Sequence, residues 1–304
     1  MTSLLDKMAV AFGMPRKRLL QIIRTAPLRY KVFYIKKKSG KMREVAQPAK
    51  EVKSIQRWLT SELSSHIPVH SVATAYVRGS SIKRNAEAHV KNDFLLKMDF
   101  ENFFPSISET DVKDHLKTYC GDHYTDQDIA IIARACTWAR KRCPPLRLCI
   151  GAPSSPLLSN SIMYGFDDAL NQRAKQDGVV YTRYADDLTL SCRSPDVLQE
   201  YPGLIADFLA KLDYPRIKIN HLKTVHASKA GNRTVTGLVL NSDGEVSIGR
   251  ERKREIRAMY HHYKHGKLQP DAIAKLFGLL NFAENIEPGF RVRMERGGNG
   301  NDHL

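Results

Sequence analysis

Two adjacent carboxylates, Asp186 and Asp187, interrupt an apolar, β-branched stretch that spans residues 179–191. Strands disfavour Asp, and a buried charge must be compensated, so the pair is costly unless something neutralises it. At a tight turn between two strands, the side chains would point at one solvent-accessible spot where hard divalent cations could bind. Asp is also an ordinary turn residue, so the pair alone does not separate a metal site from a plain hairpin.

A third carboxylate, Asp99, ends a strand predicted over residues 94–100, and the aromatic residues Phe103 and Phe104 follow it. A strand-end Asp and a later Asp pair are the parts that a two-metal phosphoryl-transfer site needs. In such sites two ions lie about 3.5–4 Å apart, one activating the attacking oxygen and one supporting the leaving group. Mg²⁺ keeps several waters and takes few protein carboxylates, so three acids and the substrate phosphates would suffice.

Two other clusters are weaker candidates for a metal site. Asp167 and Asp168 lie on a predicted helix, where neighbouring side chains diverge by about 100° and cannot converge on one ion; we expect them on a solvated face. His261, His262 and His265 have no accompanying Cys or acidic ligand set. Their predicted helix is basic, so nucleic acid or water is the expected neighbour of these histidines.

The charge balance points to a polyanionic partner. Lys and Arg number 48 against 32 Asp and Glu, giving a net charge of +16 and a pI near 9.6. Residues 14–43 and 129–150 contain no acidic residue at all. No amphipathic anchor and no apolar stretch of bilayer length is evident, which favours nucleic acid over a membrane. The 5 cysteines form no C-x-x-C pair, as expected for reduced thiols in the cytoplasm.

The chain of 304 residues exceeds the usual size of one core, so we expect two or three packed subdomains of mixed α+β structure. Periodicity predicts helices over residues 1–30 (in two parts, the second opening at Pro15), 51–65, around 85–89, 106–119, 125–141, up to 174, 202–212, 250–265 and 272–283. Strand patterns cover residues 32–35 paired with 42–45, 94–100, the 179–191 hairpin, 217–220, and 234–240 paired with 245–248. The segment from Arg296 onward is expected to fray.

Several motifs, taken together and in order, resemble those of reverse transcriptases. Tyr184-Ala185-Asp186-Asp187 resembles their catalytic box, and Asp99 followed by Phe104 resembles their first catalytic strand with its sugar-discriminating aromatic residue. The segment GAPSSPLLSN, residues 151–160, resembles the loop beneath the nascent base pair. The pattern is most similar to bacterial retron reverse transcriptases, through NAEAH at 85–89, TRYADDLTLS at 182–191, VTG at 235–237 and IGRE at 248–251.

The resemblance, which runs from about Tyr30 to the final helices, implies a right-hand polymerase with fingers, a palm built on an antiparallel sheet, and a helical thumb. On this reading, residues 1–95 form the N-terminal helices and fingers. Residues 96–241 form the palm, with a helical fingers insertion at about 109–150, and residues 242–304 form the thumb.

The resemblance also assigns site residues. Asp99, Asp186 and Asp187 are the expected catalytic residues, and with the backbone carbonyl of Phe100 they would bind two Mg²⁺ ions, or Mn²⁺ as the alternative. The expected nucleotide-binding residues are Lys41, Arg43, Phe104, Gly151, Pro153, Ser155 and Lys223. Phe104 would crowd a ribose 2′-hydroxyl, and Lys223 resembles a lysine proposed to protonate leaving pyrophosphate.

The expected nucleic-acid contacts are Asn85, His89, Arg250, Arg254, Arg257 and His261. A polar pair such as Asn85 and His89 is, however, more often a structural hydrogen-bonding device.

The implied function is that of a retron RNA-directed DNA polymerase. Such an enzyme uses dNTPs to copy part of a structured noncoding RNA, which is both template and primer, into RNA-linked single-stranded DNA (msDNA), starting from a guanosine 2′-hydroxyl. The family further implies anti-phage defence with a separate effector protein. The alternatives are a group II intron-like or diversity-generating reverse transcriptase, a palm-domain nucleotide cyclase, and a non-enzymatic RNA-binding scaffold. Intron enzymes carry extra maturase segments, a cyclase lacks the basic thumb and the GAPSSP loop, and the three intact carboxylates argue against a scaffold.

Overall fold

The computed structural model describes residues 3–36 and 40–296, and within them the chain is a mixture of helices and antiparallel strands. The helices are α1 (Leu4–Phe12), α2 (Arg16–Thr25), α3 (Lys50–Leu63), α4 (Ile82–Glu87), α5 (Phe103–Ser106), α6 (Glu109–Cys120), α7 (Asp126–Cys136), α8 (Ser155–Ile162), α9 (Tyr164–Gln176), α10 (Pro195–Lys211), α11 (Arg250–Lys264), α12 (Pro270–Ile286) and α13 (Phe290–Arg296). The strands are β1 (Tyr30–Lys36), β2 (Met42–Pro48), β3 (Phe94–Glu101), β4 (Trp138–Ala139), β5 (Leu146–Arg147), β6 (Val180–Tyr184), β7 (Asp187–Cys192), β8 (Lys218–Ile219), β9 (Val225–Ser228), β10 (Arg233–Val235), β11 (Leu238–Leu240) and β12 (Val246–Ser247). Short 3₁₀ helices lie at Ala26–Leu28, Arg140–Arg142 and His221–Lys223. The predicted frayed tail beyond Arg296, and residues 37–39 of the lysine-rich turn, lie outside the described residues.

A five-stranded antiparallel sheet forms the centre of the molecule, and β3 is its inner strand. β3 pairs with β7 on one side and with β8 and β9 on the other, and β6 completes the sheet next to β7. Most of β3 is buried, which explains its nearly continuous apolar sequence. The hairpin predicted over 179–191 is therefore confirmed as β6 and β7, with Ala185 and Asp186 at the turn.

Two main hydrophobic cores hold these elements together. The larger one joins the central sheet to the helices α1–α3 and α6–α10, where Phe166 and Ile205 are fully buried. The smaller one joins α4, the sheet of β10, β11 and β12, and the helices α11–α13 around Ile256 and Leu280. No helix of the described ranges has both the length and the apolar character needed to cross a bilayer.

Several predicted boundaries differ from the observed ones, each for a local reason. The helix predicted over 106–119 starts at Glu109, because Ser108 and Asp111 form a capping box there. The helix predicted over 125–141 ends at Cys136, where the chain enters the β4–β5 pair. The helix predicted over 202–212 starts at Pro195 and continues through Pro202.

The segments 150–160 and 234–240 also differ from prediction. The GAPSSP segment turns helical at Ser155, where α8 begins. The strand predicted over 234–240 is two strands, β10 and β11, which pair with each other. They are separated by a turn at Thr236 and Gly237, both in the left-handed region with φ of 48° and 78°. The predicted pairing with residues 245–248 is confirmed between β11 and β12.

The prediction of a solvated face for Asp167 was wrong. Asp167 and Arg183 are both completely buried, and the guanidinium donates to both carboxylate oxygens at 2.5 and 2.8 Å. The Tyr181 hydroxyl donates to the same carboxylate at 2.9 Å. Arg183 lies in a mostly buried strand and needs a buried counter-charge, which the helix pattern around Asp167 could not reveal. Its neighbour Asp168 is partly exposed, with 43% of its side chain accessible, and it accepts a hydrogen bond of 2.8 Å from Gln172.

We predict that Asp167→Ala lowers the free energy of unfolding by about 3–5 kcal/mol, because it leaves the Arg183 charge buried and unpaired. Asp168→Ala, one residue away on the same helix but partly exposed, is the matched control and should change stability by only about 0.5 kcal/mol. Urea denaturation of both variants measures the difference. Equal effects of the two substitutions would contradict the assignment.

Candidate active site

Three carboxylates meet at one end of the central sheet. Asp99, Asp186 and Asp187 each offer an oxygen, and these oxygens all lie within 4.8 Å of one another. Asp99 on β3 stands directly opposite Asp187 on β7. Asp186 lies in the turn before β7, where its carbonyl accepts a hydrogen bond of 3.0 Å from the N–H of Phe100. Strand pairing therefore brings together three carboxylates that are far apart in sequence.

The three acids are incompletely neutralised. The Lys223 ammonium donates to Asp99 at 2.7 Å, and Asp99 is 5% exposed. Partial burial and the Asp99 charge raise the pKa of Asp186. Partial burial, the Asp186 charge and a hydrogen bond with Asp99 raise the pKa of Asp187 to about 7. A cluster of hard oxygen donors with excess negative charge fits a divalent cation such as Mg²⁺.

The two phenylalanines after β3 have different environments. Phe103 is 3% exposed and stacks on Phe100, with ring centroids 5.6 Å apart. Phe104 is half-buried, and its ring lies 6.4 Å from that of Tyr76. Of the pair, Phe104 is thus the one with ring surface available to a substrate, in line with its predicted role.

Tyr76 is a site residue that the sequence did not indicate. It is 57% exposed, and its backbone is left-handed with φ of 62°. Burial of the hydroxyl and then the charge of Asp186 raise the pKa of Tyr76, which places it within electrostatic reach of the carboxylates. A tyrosine in a non-repetitive segment carries no pattern that would reveal this position.

The segment that begins at Gly151 is fixed against β2. The N–H of Ala46 donates to the carbonyl of Ile150 at 2.8 Å. Gly151 has φ of 112°, and a Cβ at this position would lie 2.8 Å from the Ala46 carbonyl oxygen. Glycine is required both by the backbone angle and by this close approach. The hairpin β1–β2 and the GAPSSP segment therefore form one wall.

These two segments carry five of the seven predicted nucleotide-binding residues, of which Lys41 and Arg43 are the predicted triphosphate contacts. Lys41 and Arg43 are exposed, and the Arg43 charge lowers the pKa of Asp186 against the effects that raise it, which places Arg43 near the carboxylates. Gly151 is exposed and Pro153 is half-buried. Ser155 differs, since it is 1% exposed and its hydroxyl accepts a hydrogen bond of 3.4 Å from the N–H of Cys149. Its burial does not support the predicted direct contact with a nucleotide.

The structure gives Asn85 and His89 a structural role instead of the predicted nucleic-acid contact. Both are buried, at 1% and 0% exposure. Asn85 accepts a hydrogen bond of 2.8 Å from the Thr74 hydroxyl. The ring nitrogens of His89 lie 2.7 Å from the Ser191 hydroxyl and 2.8 Å from that of Thr182, and burial lowers its pKa to about 3. This neutral histidine fastens the end of α4 to the hairpin β6–β7, out of reach of a nucleic acid.

The basic face predicted on α11 is present. The four residues of this helix that are predicted to contact nucleic acid are exposed, whereas Ile256, on another face, is buried. Together with Lys253, three of the four line a groove. The four predicted nucleic-acid contacts on this helix are Arg250, Arg254, Arg257 and His261. Their exposure is compatible with the predicted contact, which stays a prediction.

We predict that Asp187→Asn stabilises the metal-free protein more at pH 8 than at pH 5. The pKa of Asp187 is about 7 in the native protein against an ordinary value of 3.8. Between these values the native state binds more protons than the unfolded state, so stability falls as the pH rises through this range. The two pKa values correspond to about 2.7 kcal/mol between pH 5 and pH 8. Because Asp187 is exposed to solvent, which screens its interactions, we expect the difference between variant and wild type to grow by about 1 kcal/mol over this range.

Urea denaturation in EDTA at the two pH values measures this growth, with Asp168→Asn as a control at a partly exposed carboxylate outside the cluster. Millimolar Mg²⁺ should reverse the advantage of the variant at pH 8, because the cation compensates the wild-type charges. An advantage that depends on neither pH nor Mg²⁺ would contradict the electrostatic account.

Solved structures with a similar fold include telomerases. The telomerase of Candida albicans, solved with a fragment of telomeric RNA, aligns with a TM-score of 0.51 and 12% identity over 96% of this chain and 59% of that one. The apo telomerase of Candida tropicalis aligns with a TM-score of 0.51 and 12% identity over 74% and 49%. The chain thus spans about half to three-fifths of these telomerase chains. At this identity the likeness shows the right-hand polymerase fold.

Sequence relatives are more specific. The family model described as reverse transcriptase (RNA-dependent DNA polymerase) matches residues 35–248. The retron Ec83 reverse transcriptase of Escherichia coli is 40% identical over 88% of this chain and 86% of the relative. The retron Ec86 reverse transcriptase of the same species is 32% identical over 93% and 84%. The chain therefore belongs to the reverse transcriptase family, among the retron reverse transcriptases.

Proposed function

We propose that this RNA-directed DNA polymerase of a retron makes RNA-linked single-stranded DNA (msDNA) by two-metal nucleotidyl transfer. The observation that carries the proposal is the meeting of Asp99, Asp186 and Asp187 within 4.8 Å at the end of β3 and β7. Similarity to named retron enzymes over most of the chain favours this product over those of intron-type or diversity-generating enzymes.

The carboxylates supply the ligand set for this chemistry. Asp99 and Asp186 are the proposed main ligands, Asp187 supports them, and the Phe100 carbonyl is a further ligand. When bound, Mg²⁺ ions would activate the attacking hydroxyl and neutralise charge on the triphosphate. Lys223 donates to Asp99, and this position beside the carboxylates supports the proposal that its ammonium would give a proton to pyrophosphate as it leaves.

The surrounding residues are proposed to hold the substrates. Arg43 and Lys41 would grip the triphosphate of an incoming dNTP, and Gly151 and Pro153 would support the nascent base pair. The half-buried ring of Phe104 would occupy the space that a ribose 2′-hydroxyl needs. The exposed arginines of α11 would contact the template-primer backbone, where basic side chains gain affinity by releasing counterions.

The remaining proposals concern the cellular setting and the domain division. A structured noncoding RNA would be both template and primer, and a separate effector protein would complete an anti-phage system in the cytoplasm. The proposed division is residues 1–95 for N-terminal helices and fingers, 96–241 for the palm with an insertion at about 109–150, and 242–304 for the thumb. The smaller core supports a separate thumb, because it gathers the helices α11–α13 around their own buried residues. The same core also includes residues of α4 and of β10 and β11, which the proposed division assigns to the fingers and the palm.

We predict that Asp186→Ala and Asp187→Ala each abolish DNA synthesis, because the remaining acids cannot hold the ions. The assay supplies the protein with its neighbouring noncoding RNA, Mg²⁺ and labelled dNTPs, and looks for DNA covalently joined to RNA. Asp168→Ala, which removes a partly exposed carboxylate outside the cluster, should keep wild-type activity. Product formed by either site variant would overturn the catalytic assignment, whereas wild-type product without an RNA linkage would overturn the msDNA proposal alone.

We also predict that Phe104→Val lets the enzyme incorporate ribonucleotides, raising its rNTP-to-dNTP efficiency ratio by about tenfold or more, since contacts of this size are worth about 1–3 kcal/mol. The matched control is Phe12→Val, because Phe12 is also half-buried and its ring lies 6.2 Å from Trp58. Single-nucleotide extension with each substrate measures the ratio. An unchanged ratio in Phe104→Val would remove this residue from the discrimination mechanism.

A further inference from the structure

Arg183 does more than pair with Asp167. Its Nη1 also donates to the carbonyl of Ala185 at 3.0 Å and to Oδ1 of Asn160 at 3.2 Å. Both Arg183 and Asn160 are buried, at 0% and 2% exposure. The guanidinium thus links an acid on α9, an amide on α8 and the backbone of the turn that contains Asp186.

Asn160 extends this linkage to a second segment. Its Nδ2 donates to the carbonyl of Ala75 at 2.8 Å. The backbone of Arg183 contacts the same segment, because its N–H donates to the carbonyl of Val72 and its carbonyl accepts from the N–H of Thr74, both at 2.8 Å. Residues 72–75 are therefore fastened to β6 through main chain and side chains together.

The two carbonyls that accept these hydrogen bonds, those of Ala185 and Ala75, lie at or next to residues with left-handed backbone. Ala185 is left-handed with φ of 58°, and Ala75 precedes Tyr76, which is left-handed with φ of 62°. For a residue with a Cβ, this conformation costs about 1–2 kcal/mol. It persists where the surroundings over-determine the backbone. Ala185 directly precedes Asp186, and Tyr76 carries the ring next to Phe104.

We propose that Arg183, acting with Asp167 and Asn160, is a positioning residue that holds Asp186 and Tyr76 in register on two sides of the nucleotide site. This inference rests on the proposed polymerase function and deepens it. Arg183 is completely buried, so it would act through the carbonyl of Ala185 directly and through the carbonyl of Ala75 by way of Asn160. Tyr76, through its ring contact with Phe104, would then help to position the ring that discriminates the sugar.

The chemistry of the pair supports positioning over simple stabilisation. A buried ion pair is seldom more stabilising than apolar residues of similar volume. A planar guanidinium, however, presents several donors in fixed directions, which apolar residues and lysine do not. Arg183 uses that fork to reach Asp167, Asn160 and Ala185 at once.

The first test compares two buried asparagines. Asn160→Ala removes the hold on Ala75, whereas Asn92→Ala removes hydrogen bonds of 2.8 and 3.1 Å to Ser191 in the same sheet. Both should lower the unfolding midpoint to a similar degree. Asn160→Ala should in addition lower kcat about tenfold and reduce the preference for dNTPs over rNTPs, while Asn92→Ala should keep the wild-type kcat and preference.

The second test preserves the fold by replacing the ion pair. In the double variant Arg183→Met with Asp167→Asn, no buried charge is left unpaired, and the Tyr181 hydroxyl keeps an acceptor. We expect an unfolding midpoint close to the wild type and a kcat lower by about a hundredfold, the scale on which a misplacement of about 1 Å acts. Saturating Mg²⁺ should not restore the rate.

The outcomes separate this inference from the proposed function. A wild-type protein that makes no DNA would refute the proposed function. An active wild type with an equally active double variant, or with Asn160→Ala indistinguishable from Asn92→Ala, would refute the positioning role and leave the polymerase function intact. Lost activity and altered sugar preference in a folded variant would support it.

Discussion

The antiparallel pairing of β3 with β7 is the constraint on which the rest of the structure depends. It sets Asp99 opposite Asp187 and brings Asp186 alongside. Three like charges at one sheet end oppose folding, and a side-chain period of two means that a slip of one residue would move every side chain to the other face. The buried apolar residues of β3 fix that register and thereby fix the site.

The buried pair of Asp167 and Arg183 lies behind these carboxylates, and its two charges neutralise each other. The carboxylates at the sheet end are left for cations, while the charges behind them are neutralised within the protein. On the positioning proposal, the hydrogen bonds of Arg183 beneath the turn would keep its shape whether or not the carboxylates are neutralised. This arrangement agrees with the general requirement that catalytic groups be held by supporting side chains whose own positions are locked.

Much of the fold and of the site could be predicted from local patterns. The hairpin around Asp186, the strand that ends at Asp99 and the basic helix α11 all have the periodicity or turn chemistry that identifies them.

Burial could not be predicted where it depends on distant segments. Asn85 and His89 share a helix face, but only the tertiary structure shows that this face meets Thr74, Thr182 and Ser191. Asp167 was misplaced for the same reason, since its partner lies on another element. The available signal of a buried counter-charge was an arginine three residues before Asp186, in a strand predicted to be buried.

The central claim is that Asp99 and Asp186 bind two divalent ions in line with an incoming nucleotide. The most direct measurement is a crystal structure of the protein with its RNA template-primer, a non-hydrolysable dNTP and Mn²⁺, read by anomalous scattering. The account predicts two peaks about 3.5–4 Å apart between these carboxylates and the triphosphate. A single peak, or peaks bound away from Asp99 and Asp186, would contradict it.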